Sequence, residues 1–150
     1  MAKVVFLGPG EGRQLGIGTS ATTLKAVTGD TEGRFSVVEH RLDANFPGPP
    51  AHVHDHLDHA WYVVEGTVVF TVEQRPLTAP AGSFAFVPRG VAHAFANPSG
   101  GEVRFVELDA PAGFERYFER LAEAFPAGSQ FDPAVAAAIQ AEHDTHPPRA

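Results

Sequence analysis

The sequence contains no cysteine. Disulfides, thiolate-bound zinc, iron–sulfur clusters and thiol catalysis are thereby excluded. Positive charge is scarce: Lys and Arg total 11 against 18 Asp and Glu, for a net charge of −7. No basic stripe interrupts that balance, so nucleic acid is not an expected partner. Long apolar runs are missing too. The short run in MAKVVFLGPGEG is too brief for a signal peptide, and none approaches the length of a membrane span. The sequence reads as that of a cytoplasmic protein with no membrane partner.

Turn formers, by contrast, are plentiful: 15 Gly and 13 Pro among 150 residues. They punctuate short apolar runs, the pattern of an all-β sandwich or barrel. Strands are expected at Lys3–Leu7, Thr22–Val27, Arg34–Leu42, Ala51–His54, His59–Val64, Thr67–Glu73, Ser83–Val87, Ala92–Asn97 and Val103–Leu108. Turns fall between them at TGDTEG, NFPGPP, Glu65-Gly66, PRG and NPSGG. Spacing of about ten residues per strand suits a barrel or jelly roll. The length suits one domain, with a barrel core over about 20–109 and a helical extension over about 111–144.

In that extension Phe114, Tyr117, Phe118, Leu121 and Phe125 recur at helical spacing, which predicts an amphipathic helix. A second helix is expected to begin with Asp132 as N-cap and Pro133 at the first helical position, and to run to about His143. Both helices need an apolar face to pack on, either the barrel or a second copy. The closing DTHPPRA reads as frayed.

The densest chemistry lies in PPAHVHDHLDHAWYVVEG, where His52, His54, His56 and His59 fall within eight positions. On a helix, residues i and i+2 point about 200° apart. On a strand they share a face, so His52 and His54 form a two-point clamp for a metal ion. Neutral imidazole is also the commonest metal ligand among side chains. A third ligand is either His56, which keeps strand parity, or His59, which follows a bend at Asp55–Asp58. Periodicity leaves both open. His93 follows the PRG turn and can converge on the same interior.

These residues resemble the cupin superfamily. Gly82, Pro88, Gly90, His93 and Asn97 reproduce its second motif, G-x5-P-x-G-x2-H-x3-N. His52, His54, His59 and Gly66 follow the first, G-x5-H-x-H-x(3–4)-E-x6-G, with two departures. The leading glycine is out of register, with Gly48 nearby, and His59 stands where the family has glutamate. The wider outline is similar to small single-domain bacterial cupins of the quercetin-dioxygenase-like group.

The resemblance implies an all-β cupin jelly roll (double-stranded β-helix) with a C-terminal helical extension. It implies His52, His54, His59 and His93 as ligands of one divalent transition metal (Fe, Mn, Ni, Cu or Zn), His56 in the loop as a possible outer neighbour, and a homodimer. No other cofactor is expected. The implied activity is that of an oxidoreductase, a dioxygenase acting on a small oxygen-rich substrate such as an enolate, diketone, flavonol or carboxylate. The alternatives are a non-oxidative isomerase, decarboxylase or hydrolase, and a non-catalytic small-molecule binder. Exchanging glutamate for His59 leaves the ion's charge near +2 and removes the family's proton acceptor. A base would then be His56, Asp55 or Asp58, or none. Trp61 shares parity with His59 and lines either cavity or core. Phe84, Phe86 and Phe95 are expected as core or cavity wall, His40 as a surface or satisfied core residue, and Glu102, Arg104 and Glu107 as solvated. His143 and His146 are expected to solvate the last helix's end.

Overall fold

The computed structural model describes residues 1–150. The elements are β1 (Arg13–Ile17), β2 (Ser20–Ala26), α1 (Thr28–Thr31), β3 (Ser36–Leu42), β4 (Asp58–Glu65), β5 (Thr67–Val72), β6 (Arg75–Pro80), β7 (Phe84–Val87), β8 (His93–Ala96), β9 (Val103–Ala110), α2 (Glu115–Ala124) and α3 (Pro133–Ala141). All pairing is antiparallel. One sheet has the order β1-β2-β3-β9-β4-β7 and the other β6-β5-β8. The jelly-roll expectation therefore holds.

Strand alternation builds the interior. In β3, Ser36, Val38, His40 and Leu42 are buried while the residues between them are not. In β9 the buried set is Val103, Phe105, Glu107 and Asp109. Leu42, Trp61, Val63, Val87, Val103 and Phe105 from the wider sheet meet Val68, Phe70 and Ala79 from the narrower one. Trp61 stacks on Phe70 with ring centroids 4.5 Å apart, so both readings of Trp61 meet in one side chain that belongs to the core and borders the histidines.

Six strands are more than three can cover. The excess at the β1–β3 end is covered by the helices: Leu15, Leu24 and Val38 pack against Tyr117, Phe118, Leu121, Phe125, Ala136 and Ile139. This answers where the apolar stripe of α2 goes. As expected, Asp132 caps α3, its carboxylate accepting from the Ala134 N–H at 2.9 Å, with Pro133 opening the helix.

Several expectations are corrected. Lys3–Leu7 forms no strand; its backbone tie is one bond from the Lys3 N–H to the Asp30 carbonyl, and Val4 and Phe6 lie exposed. β1 takes the sheet edge instead, pairing Arg13 with Leu24 through Ile17 with Ser20. The barrel therefore starts before residue 20. β1 was hidden because Leu15 alone among its residues is buried. β6 was hidden because only Ala79 of RPLTAP is buried. Its two prolines suit an edge strand, where a missing N–H costs nothing. TGDTEG contains the short α1 rather than only a turn. Phe84 and Phe86 are neither core nor cavity wall, at 68% and 58% exposed, because β7 is an edge strand with one uncovered face.

Two glycines earn their place by geometry. Gly66 has φ 76°, and a Cβ there would sit 2.7 Å from Val103 Cγ1. Gly48 has φ 77°, and its Cβ would lie 1.7 Å from the Phe95 carbonyl oxygen. Only glycine permits that approach, which explains why the site's leading segment carries it despite the shifted register.

Candidate metal centre

His52 and Val53 make a two-residue bridge rather than a full strand: His52 pairs with His93 and Val53 with His146. His52 and His93 exchange both backbone hydrogen bonds, at 3.0 and 2.9 Å. The Gly90 N–H donates to the His54 carbonyl at 2.7 Å, which ties the PRG turn to the same segment. His59 enters from β4 and His93 opens β8. Ring centroids lie 4.5 Å apart for His52–His93, 4.6 Å for His54–His59, 5.0 Å for His52–His54 and His54–His93, and 5.1 Å for His59–His93. The four rings of the sequence reading thus form one cluster, but the group of ligand atoms within reach of one another that includes His59 is His59, Glu107 and Asp109, not the other three histidines. His52, His54 and His93 bring ligand atoms within 4.8 Å of one another.

Each Nδ1 is already engaged. Those of His52, His54 and His93 donate to the carbonyls of Pro50 (2.9 Å), Asp144 (2.7 Å) and Val91 (2.9 Å). The His59 Nδ1 bonds the Asp109 carboxylate at 2.5 Å. A carbonyl can only accept, so three protons are fixed on Nδ1 and the Nε2 lone pairs are left free. The Nε2 atoms of His54 and His93 are buried and have no hydrogen-bond partner. Orphaned buried imidazole nitrogens are costly unless something binds them. Neutral nitrogens backed by fixed Nδ1 partners are what a borderline transition metal takes, so these residues fit such an ion.

The residues around this cluster also fit known proteins. The family described as "Cupin domain" matches residues 38–109. Together with the antiparallel jelly roll, the match assigns the fold. Among solved structures, this chain is similar to the polyketide cyclase RemF from Streptomyces resistomycificus: 23% identity over 71% of this chain and 79% of that one, TM-score 0.61. It is similar to KdgF from Halomonas sp. (16%, 76% and 99%, TM-score 0.66) and to a predicted oxalate decarboxylase from Thermotoga maritima (14%, 72% and 98%, TM-score 0.62). At such identities the likeness shows the fold. No curated protein matches the sequence.

His56 stands apart from the histidine cluster. Its ring is exposed and lies 3.4 Å from Asp144, beyond the loop bend. The carboxylates named as possible bases are also committed elsewhere. Asp58 accepts from the Arg89 guanidinium at 3.1 and 2.8 Å and from its N–H at 2.9 Å. These hydrogen bonds push its carboxyl down to about 2. Asp55 holds the Arg149 guanidinium at 3.0 Å through both oxygens.

Two buried carboxylates were missed. Asp109 lies directly across from His59 and Glu107 across from Trp61 in the β4–β9 register. Glu107 accepts from the Trp61 indole N–H at 2.6 Å and lies 3.5 Å from Nε2 of His40. His40 is in the core as one of its two readings had it, with Nδ1 bonded to the Thr22 hydroxyl at 2.9 Å, but its buried Nε2 has no hydrogen-bond partner. Glu107, expected in solvent, is inside the barrel. The signal was available: Val103, Phe105, Glu107 and Asp109 share one strand parity. The site charge changes accordingly. The carboxylate missing at position 59 is displaced behind His59, so the charge is not the bare +2 of four neutral imidazoles.

Burial acts on all these groups, in different directions. It is the main cause that lowers His54 and His93, each to about 3, with the neighbouring imidazoles adding to it. Burial also lowers His52. For His59 burial is opposed by Glu107 and Asp109 together, and the net shift is upward. Asp109 is raised by burial and by the Glu107 charge.

Phe114 closes one side of the cluster, edge-on to His54 at 5.0 Å and to His59 at 5.6 Å. It also lines a cavity of about 270 Å³ with Leu57, Pro111, His143 and Asp144. Its position is held by Glu115, which accepts from the Thr28 N–H at 2.7 Å, the Thr28 hydroxyl and the Gly113 N–H at 2.8 Å. The aromatic stripe of α2 thus has both roles: most of it packs, and Phe114 borders the site.

Proposed function

We propose that the cupin domain holds one divalent transition-metal ion on Nε2 of His52, His54, His59 and His93. We infer that the protein is an oxidoreductase of the dioxygenase kind, acting on a small oxygen-rich substrate that binds as an enolate, diketonate or carboxylate. The observation that carries this reading is the convergence of imidazoles whose Nδ1 atoms are tied and whose buried Nε2 atoms at His54 and His93 lack partners. The ion, when bound, supplies a Lewis acid that attracts and polarises an anionic oxygen ligand.

The chain's own residues do the rest. Trp61 and Phe114 wall the imidazoles and keep water away. The cavity beside Phe114 adjoins the cluster but is lined by none of its four imidazoles. Four of the carboxylates near the cluster are already engaged: Asp55 and Asp58 are held by arginines, and Glu107 and Asp109 turn to Trp61 and His59. A substrate that arrives already ionised needs no base, which favours oxygenation. A second reading has its own support. Glu107 and Asp109 lie adjacent in the barrel behind His59, with the Asp109 carboxyl raised by burial and by the Glu107 charge, and isomerisation, decarboxylation or hydrolysis would use such a carboxyl for proton transfer without oxygen.

The deciding experiment is elemental analysis of untagged protein, followed by oxygen uptake with small enolate and diketone substrates. About one redox-active metal per chain with substrate-dependent oxygen loss supports the first reading. Turnover without oxygen loss supports the second. A ligand retained without turnover marks a binding protein, and absence of metal uptake rejects the centre. We also propose a homodimer. Its support is the exposed apolar face of Tyr62, Phe84 and Phe86 at the β4–β7 edge and the exposed, unpaired VVF segment near residue 5.

A further inference from the structure

Residues 142–149 run from α3 alongside the HxH bridge, and they are not frayed. Asp144 has φ 49°. A non-glycine residue seldom stays in that left-handed region unless its surroundings hold it there. Here they do. Asp144 Oδ1 accepts from the Asp55 N–H at 3.0 Å and Oδ2 from the His56 N–H at 2.8 Å. Its carbonyl accepts from Nδ1 of His54 at 2.7 Å. His146 exchanges both backbone hydrogen bonds with Val53, at 2.8 and 3.0 Å. Thr145 is buried, and the Arg149 fork on Asp55 closes the far end.

The source of this support is unusual within the site. His52 and His93 take their Nδ1 acceptors from two residues upstream, and His59 takes its own from the facing strand. His54 takes its acceptor from 90 residues away, outside the matched cupin residues 38–109. The loop that follows His54 has its first two free N–H groups satisfied by the same residue.

We propose that Asp144 is a positioning residue for His54, and that residues 144–149 are a strap that completes the centre. The Asp144 carboxylate sets the bend after His54. Its carbonyl fixes the proton on Nδ1 and so turns the Nε2 lone pair toward the other imidazoles. Without it, His54 is free to carry its proton on Nε2, where it cannot ligate. The meaning for metal binding rests on the function proposed above; the tautomer itself does not.

The test compares Asp144→Ala, Asp144→Gly and Asp144→Asn with Asp132→Ala, which weakens the neighbouring α3 cap without touching His54. Two quantities are read: the His54 tautomer in metal-free protein by imidazole ¹⁵N NMR, and Co²⁺ affinity with its visible absorption spectrum. The Ala and Gly variants should lose the single Nδ1–H tautomer, bind Co²⁺ about 10–100-fold more weakly and shift its spectrum. Gly tolerates the left-handed backbone, so equal losses in Ala and Gly assign the effect to the carboxylate. Asp132→Ala should lower the melting temperature and leave both readouts alone. If the Asp144 variants only melt earlier, with the tautomer and Co²⁺ affinity kept, the positioning role is overturned. Should Asp144→Ala fail to fold, Asp144→Asn reads the same two quantities, because it retains one acceptor. A wild type that takes up no Co²⁺ overturns the metal reading, and the tautomer still decides the role of Asp144.

Discussion

His59 differs from the other three imidazoles in the charge behind it. His52, His54 and His93 rest against neutral carbonyls and are lowered chiefly by burial, whereas His59 faces Asp109 and Glu107 and is raised. Protons therefore compete with a metal mainly at His59. Metal affinity should fall as pH decreases from neutral with fewer protons per ion than the three or four expected of exposed imidazoles, His59 being the chief site of competition. Titration of Co²⁺ affinity against pH measures that number. The same shifts act on folding. His54 and His93 sit near 3 in the fold against an ordinary 6.5, so the unfolded chain binds more protons between those values. The contribution of these two histidines to the stability of the metal-free protein should be full above pH 6.5 and fall as pH drops toward 3, while the raised His59 and Asp109 act in the opposite sense; melting curves at stepped pH of the wild type and of a His54→Ala, His93→Ala variant separate the two. Replacing His59 by Ala should remove most bound metal, while His56→Ala should leave it, since His56 points to solvent and Asp144. Equal metal loss in both would refute the ligand set.

At the scale of elements, the helices are part of the barrel's closure. Phe118 lies between the α2–α3 layer and the interior, with its ring 4.9 Å from His40 and 5.3 Å from Phe114. Phe118→Ala should cost about 3–5 kcal/mol through lost burial and the cavity left behind. It should also loosen Phe114, so a change in ligand access is expected together with the lower melting temperature. Gly48→Ala should be worse tolerated than its surface position suggests, because the added Cβ meets the Phe95 carbonyl of β8, the strand that carries His93. Chemical denaturation of both variants ranks them. Asn97, the last residue of the second motif, acts at this scale too. Its buried amide donates to the carbonyls of Asp43 and Gly101 at 2.8 and 2.7 Å and locks the turn that follows β8.

For the whole molecule, the uncovered surface argues for a partner of the same kind. Tyr62 pairs with Phe84 in the β4–β7 register, and both are exposed. An edge strand bearing two exposed phenylalanines lacks the charges that usually keep edges apart. Phe84→Glu should yield a monomer in light scattering after gel filtration, with the metal content per chain unchanged. A wild type that is already monomeric would end the homodimer proposal. No helix is long and apolar enough to cross a membrane.

Local pattern in the sequence sufficed for what depends on neighbours along the chain. The parity of His52 and His54, the turn glycines, the Asp132 cap and the apolar stripe of α2 are all short-range features, and each is where the sequence put it. The two motifs carried the jelly roll and the clustering of the His52, His54, His59 and His93 rings. Other features depended on which strand lies across from which. Strand parity places Glu107 and Asp109 on the buried face of β9, but Asp109 meets His59, and Glu107 meets Trp61, only through the pairing of β4 with β9, so which groups that charge faces was not legible along the chain. Phe84 and Phe86 have the same alternation as a buried strand, but β7 falls at the sheet edge. Asp144 reaches His54 across 90 residues. Side-chain chemistry is written locally, whereas burial and electrostatic partnership come from chain segments that only folding brings together.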